Sequence, residues 1–146
     1  GGGGGGGGGG SSTTEHALRI KPDALYFPPP LDRVITNILE LENCSEQRLT
    51  FKIKTTAPKR YVVRPNTACL QPRERADIEV LLNVMRDKPP TDANKCRDKF
   101  LVLWTAAPAN SDNAKEIWAS VNADADAHVH SRKLRCFFAE PPSGAR

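Results

Sequence analysis

The chain is poor in the features that usually announce chemistry. Its four cysteines, Cys44, Cys69, Cys96 and Cys136, form no C-x-x-C pair, which argues against a zinc ribbon or a thiol-disulfide redox centre. No apolar run reaches the roughly 18 residues of a membrane span, and no charged, apolar and small-residue series marks a secretory leader. Free thiols in a reducing compartment are therefore expected. The ten glycines at residues 1–10 precede no strand-to-helix turn, so they make no phosphate-binding loop, and no Ser, His and Asp arrangement points to a nucleophile. No enzyme and no cofactor is expected. His128-x-His130 with Asp124 and Asp126 contains metal-ligating residue types, but a loop of small residues fixes no coordination geometry, and no metal site is assigned.

What is present describes one domain with loose ends. Residues 1–16 read as a flexible Gly/Ser-rich tail, residues 17–141 as the folded unit, and residues 142–146 as a flexible end. A unit of roughly 120 residues can bury about two-thirds of its unfolded surface without disulfides or a metal. The first residue is not Met, so an excised or tagged domain is expected, with any membrane anchor outside it. Twelve prolines and many short runs of Val, Ile, Thr and Phe favour a β-rich class. The net charge of +4 is modest, so its clustering decides which partners it attracts.

That clustering centres on Thr50 to Asn66, TFKIKTTAPKRYVVRPN. Leu49, Phe51 and Ile53 alternate with Thr50, Lys52 and Lys54, so a strand here sets one row in a core and the other, cationic, in water. Ala57-Pro58 ends that strand, and Tyr61-Val62-Val63 begins a short run closed by Pro65. Upstream, Leu18-Arg19-Ile20 and Leu25-Tyr26-Phe27 read as an edge strand interrupted by Pro22, and Val34 to Glu42 as a long central strand. Downstream, Gln71-Pro72-Arg73-Glu74 reads as a type I turn, Ala76 to Leu82 as a strand, and Asp87 to Cys96 as a polar loop. In Lys99 to Trp104, an inward Phe100, Val102 and Trp104 leave Lys99, Leu101 and Leu103 outward. Ser111 to Val121 reads as a short helix with Ser, Asp and Asn as candidate caps, and Asn122 to His130 as a loop. In Lys133 to Phe138, an inward Leu134, Cys136 and Phe138 leave Lys133 and Arg135 outward. The expected fold is an all-β, immunoglobulin-like seven-stranded β-sandwich with one short helix.

The segments FKIKTTAPKRYVVRPN, KFLVLW and KLRCFF closely resemble the major sperm protein (MSP) domain of the VAMP-associated protein family, and the likeness runs from about Leu18 to Pro141. The resemblance implies an adaptor that binds short acidic diphenylalanine (FFAT-type) peptides carried by lipid-transfer and other proteins. It also implies the cytosolic face of the endoplasmic reticulum at contact sites, and dimerisation of the full-length protein. Lys52, Lys54, Thr55 and Thr56 match family positions that meet the peptide core and its acidic or phosphorylated group, and Asn66 and Lys133 match further contacts. Lys99 matches a lysine, and Leu101 a methionine, that frame the pocket for the peptide aromatic; Leu is branched and less pliable than Met. The outward phase adds Arg135. Arg64-Pro65 matches a pair whose proline shapes a bend. Two rivals remain in view. A nucleic-acid partner is disfavoured because Phe51, Phe100 and Phe138 fall in the inward phase and leave few rings for base stacking. A self-assembling structural protein of the nematode sperm type is the other use of this fold.

Overall fold

The computed structural model describes residues 16–85, 96–108 and 111–142; the loop expected at Asp87 to Cys96 lies almost wholly outside them, as does most of the amino-terminal tail. Among the described residues nine strands and one helix follow in order: β1 (Leu18–Lys21), β2 (Ala24–Tyr26), β3 (Ile35–Asn43), β4 (Leu49–Thr55), β5 (Tyr61–Arg64), β6 (Thr67–Leu70), β7 (Arg75–Leu82), β8 (Lys99–Ala106), α1 (Ala114–Ala123) and β9 (His130–Phe137). They form a sandwich of two sheets, one ordered β1-β3-β7-β5 and the other β2-β9-β8-β4-β6.

Two prolines account for nine strands where seven were expected. Pro22 and Pro65 lack the N–H that a ladder needs, and at each the chain leaves one sheet for the other. β1 pairs with β3, whereas β2 runs parallel to β9; likewise β5 pairs with β7, whereas β6 pairs with β4. The peptide bonds preceding both prolines are cis. Cys69 and Leu70 thus belong to the edge strand β6.

The period-two alternation fills the space between the sheets. Leu39, Leu41, Ile78 and Val80 meet Phe51, Phe100, Val102 and Leu134, all essentially inaccessible to water. Asn43 is also buried, and its amide nitrogen lies 2.7 Å from the Gln47 carbonyl and 3.0 Å from that of Gln71. It pins the β3–β4 turn to the β6–β7 turn. The latter differs from expectation: Glu74 N–H donates to the Gln71 carbonyl at 3.0 Å, but Arg73 has φ of 68°, which makes the turn type II.

The helix begins at Asn113, whose Oδ1 accepts from Glu116 N–H at 3.2 Å, the third of the three expected caps. It continues two residues past Val121, and its buried Ile117 and Trp118 face the sheet. Arg48, at the foot of β4, holds the chain leading into it through Asp112 and the carbonyls of Pro108 and Ser111. Trp118 Nε1–H donates to Thr50 Oγ1 at 3.0 Å, and that hydroxyl donates to the Ala68 carbonyl at 3.1 Å. Thr50 was expected in water with Lys52 and Lys54; α1 lies over its end of the sheet and buries it completely.

Candidate functional site

The strand registers decide how the outward side chains of the five-stranded sheet are set against each other. Lys54 stands opposite Leu101, and Leu101 opposite Lys133, so one row across three strands reads Lys-Leu-Lys. With strands about 4.8 Å apart, the two lysine backbones are separated by about 10 Å, with a leucine between them. The next row is Lys52, Leu103 and Ser131, continued by Thr67 of β6. On the other side comes Lys99, Arg135 and Ala24 of β2. Leu101 and Leu103 are half-buried, while Lys54, Lys99, Lys133 and Arg135 are exposed. The face is therefore an apolar strip bordered by cations, closed at one end by α1.

The outward face of these five strands carries no acidic side chain. Among the described residues, no carboxylate lies within ion-pair distance of Lys52, Lys54, Lys99, Lys133 or Arg135. Their charge is left to solvent and to whatever docks there. Two described clefts only border it: one of about 630 Å³, lined by Thr56 to Arg60 and Asn83 to Met85, adjoins the face at Thr56, and one of about 950 Å³, reaching from Arg19 and Asp77 to Ala24 and Tyr26, adjoins it at the β2 edge. The cationic face is a shallow sheet surface rather than an enclosed cavity.

The remaining expected residues border this surface. Thr56 is exposed at the end of β4, and its Oγ1 accepts from Lys99 N–H at 3.0 Å, tying the two strand ends together. Thr55 falls in the inward phase opposite Phe100, and its Oγ1 accepts from Ala57 N–H at 3.1 Å; the strand phase does not bring it onto the outer face. Asn66 is exposed, and its carbonyl accepts from Ile53 N–H at 2.8 Å, which sets it beside β4 at the sheet edge.

Two groups of residues escaped the sequence reading. On the outer face, the Tyr26 and Phe137 rings stack with centroids 5.3 Å apart, and the Arg135 guanidinium lies 4.7 Å from the centre of Phe137. Phe137 could have been found by carrying the Lys133, Arg135 alternation one step further. In the interior, Asp98 Oδ2 accepts from Tyr61 Oη–H and from Arg60, both at 2.7 Å. That joint clamps β5 of one sheet to the start of β8 in the other. Burial holds the Tyr61 hydroxyl and the Cys96 thiol above their ordinary values, and it pushes Cys136 up to about 12. All four cysteines are free thiols, and these two buried ones are poor nucleophiles.

Comparison with known proteins gives the family. The family model described as the MSP (Major sperm protein) domain matches residues 17–127. The chain belongs to the MSP domain family. Among curated relatives, vesicle-associated membrane protein-associated protein scs2 of Schizosaccharomyces pombe is 35% identical over 127 residues, covering 83% of this chain and 33% of that protein. Vesicle-associated membrane protein-associated protein A of Homo sapiens is 36% identical over 120 residues, covering 82% of this chain and 46% of that protein. The chain thus spans a third to a half of the length of the curated relatives it matches. The MSP-family protein WR4 of Caenorhabditis elegans superimposes with a TM-score of 0.62 at 17% identity, over 84% of this chain and 98% of that one. SSP-19 of the same organism gives 0.58 at 21% identity, over 80% and 97%. These two structures support the immunoglobulin-like sandwich and nothing finer.

Proposed function

We infer that this MSP domain is an adaptor whose five-stranded sheet receives short acidic peptides containing two phenylalanines. It would recruit their parent proteins to the endoplasmic reticulum membrane that the full-length protein occupies. The observation that carries this reading is the Lys54-Leu101-Lys133 row: a leucine between two lysines, on a face without an acid, suits a ring flanked by carboxylates. The family relatives add to it, since their names associate them with a membrane protein. Lys52, Lys99 and Arg135 extend the positive field. Asn66 and Thr56 would serve as border contacts, and Thr55, turned inward, would hold the end of β4 through Ala57 N–H.

The mechanism divides into two stages. An acidic segment feels the cationic face over a Debye length of about 8 Å, giving a fast, salt-sensitive encounter. Docking then buries an aromatic ring against Leu101 and the lysine stems, adding about 2 kcal/mol. Exposed ion pairs contribute up to about 1 kcal/mol each, so the expected affinity is about micromolar.

The test is the double substitution Lys99→Asp with Leu101→Asp, titrated with an acidic diphenylalanine peptide. Lys99 is exposed and Leu101 only half-buried on the outward side, so binding should be lost while the melting curve stays nearly unchanged. Undiminished binding by a folded variant would place the site elsewhere.

A further inference from the structure

The apolar strip and its lysines account for a ring and its neighbouring charges, but not for the three residues beyond them. Along β9 the outward phase runs Ser131, Lys133, Arg135 and then Phe137, so Phe137 lies on the same side of the sheet as the lysines. Parallel pairing brings Tyr26 directly opposite Phe137 and Ala24 opposite Arg135. The two rings stack 17° from parallel, and the Arg135 guanidinium sits over one of them. Arg135 nonetheless stays exposed, because its neighbour on β2 is only the methyl of Ala24.

A guanidinium held over a ring is attracted through its charge and keeps N–H groups available to a further acceptor. The ring also limits the planes the fork can adopt, so less freedom remains to be lost when a planar acceptor arrives. Among the described residues the Arg135 side chain has no carboxylate or carbonyl partner. A fixed fork with free donors fits a carboxylate that accepts two parallel hydrogen bonds. A lysine in its place would offer a mobile point charge.

We propose that Tyr26 and Phe137 form a platform that orients Arg135 for bidentate capture of one carboxylate flanking the phenylalanines of the bound peptide. Arg135 is the specificity residue and the two rings are its positioning residues. The proposal rests on the peptide-binding reading above. It adds a preference for a carboxylate at one peptide position over a mere excess of negative charge.

The experiment titrates four proteins, the parent domain, Arg135→Lys, Phe137→Leu and the double variant, against an acidic diphenylalanine peptide. Each is also titrated against a series of the same peptide with one carboxylate at a time replaced by its amide. For the all-acid peptide, Arg135→Lys and Phe137→Leu should each weaken binding about three- to fivefold, the scale of an exposed cation–π contact. The double variant should bind no worse than Arg135→Lys alone. For one amide peptide, parent and variants should bind equally. Equal losses against every peptide, or no loss with either variant, would overturn the proposal while leaving peptide binding standing. No binding of any such peptide by the parent domain would remove the underlying reading and this proposal with it. Arg135→Lys keeps the sheet packing intact and so decides the matter if Phe137→Leu folds poorly.

Discussion

The two outer faces of the sandwich carry similar numbers of cations and behave oppositely. On the β1-β3-β7-β5 sheet, Arg19 faces Glu42 at 3.4 Å, Arg75 reaches Glu40 at 3.1 Å and Arg64 reaches Glu79 at 3.2 Å. Lys21 completes a row with Glu40 and Asp77. Each positive charge there has a negative neighbour, and the field cancels at short range. On the other sheet, Lys52, Lys54, Lys99, Lys133 and Arg135 have no acid among them, and leucines fill the gaps. Exposed like charges on adjacent strands cost stability, so a surface that keeps them uncompensated is suited to binding rather than to folding. Net charge could not reveal this; only the pairing of strands does.

The largest effect should come from imposing the character of one face on the other. Lys54→Glu with Lys133→Glu, the two ends of the central row, should weaken acidic-peptide binding by about a hundredfold or more, since two attractions become repulsions. Arg64→Glu with Arg75→Glu changes net charge equally and should shift binding by no more than about twofold, as judged by calorimetric titration. Equal losses from both pairs would mean that net charge, not its placement, governs recognition.

Next comes the joint between the faces. Asp98 is nearly buried and accepts from Tyr61 of one sheet while introducing β8 of the other. Asp98→Ala leaves the Tyr61 hydroxyl without its acceptor and should cost about 2–3 kcal/mol in denaturant unfolding. A loss below about 0.5 kcal/mol would show that the sheets hold together by apolar packing alone.

A smaller effect separates the two stages of docking. Raising salt from about 0.05 to 0.5 M shortens the screening length several-fold and should lower affinity about tenfold, mostly through a slower association rate. Leu101→Ala should instead act on the dissociation rate. If salt changes dissociation as much as association, steering is not the role of the unpaired lysines.

Much of this contrast was legible in the sequence, and the reason is local. Lys52 and Lys54 alternate with Phe51 and Ile53, and Lys133 and Arg135 with Leu134 and Cys136, so the outward side of each strand follows from period two alone. Which lysine faces which leucine depends on register, set by loops whose lengths carry no such period. Tyr26 was read as part of an edge strand with Leu18 to Ile20, because nothing in Lys21-Pro22-Asp23 says that the chain changes sheets there. Thr50 was expected in water because its cover, α1, arrives some 60 residues later. The positive φ of Arg73 was equally hidden, since Pro at the second position of a turn suits types I and II alike.

The cover over Thr50 also sets where the open face stops, and it supplies the smallest and most discriminating test. Trp118 spans from the helix to Thr50, whose hydroxyl is already committed as a donor to Ala68. Trp118→Phe keeps most of the apolar contact but leaves the buried Thr50 oxygen without its donor, at a cost of about 1 kcal/mol in unfolding free energy. Peptide affinity should not change, because the Lys52 row lies beyond the end of the sheet that the helix covers. A variant that bound longer acidic peptides more tightly than the parent would show that α1 is holding back a further stretch of the same face.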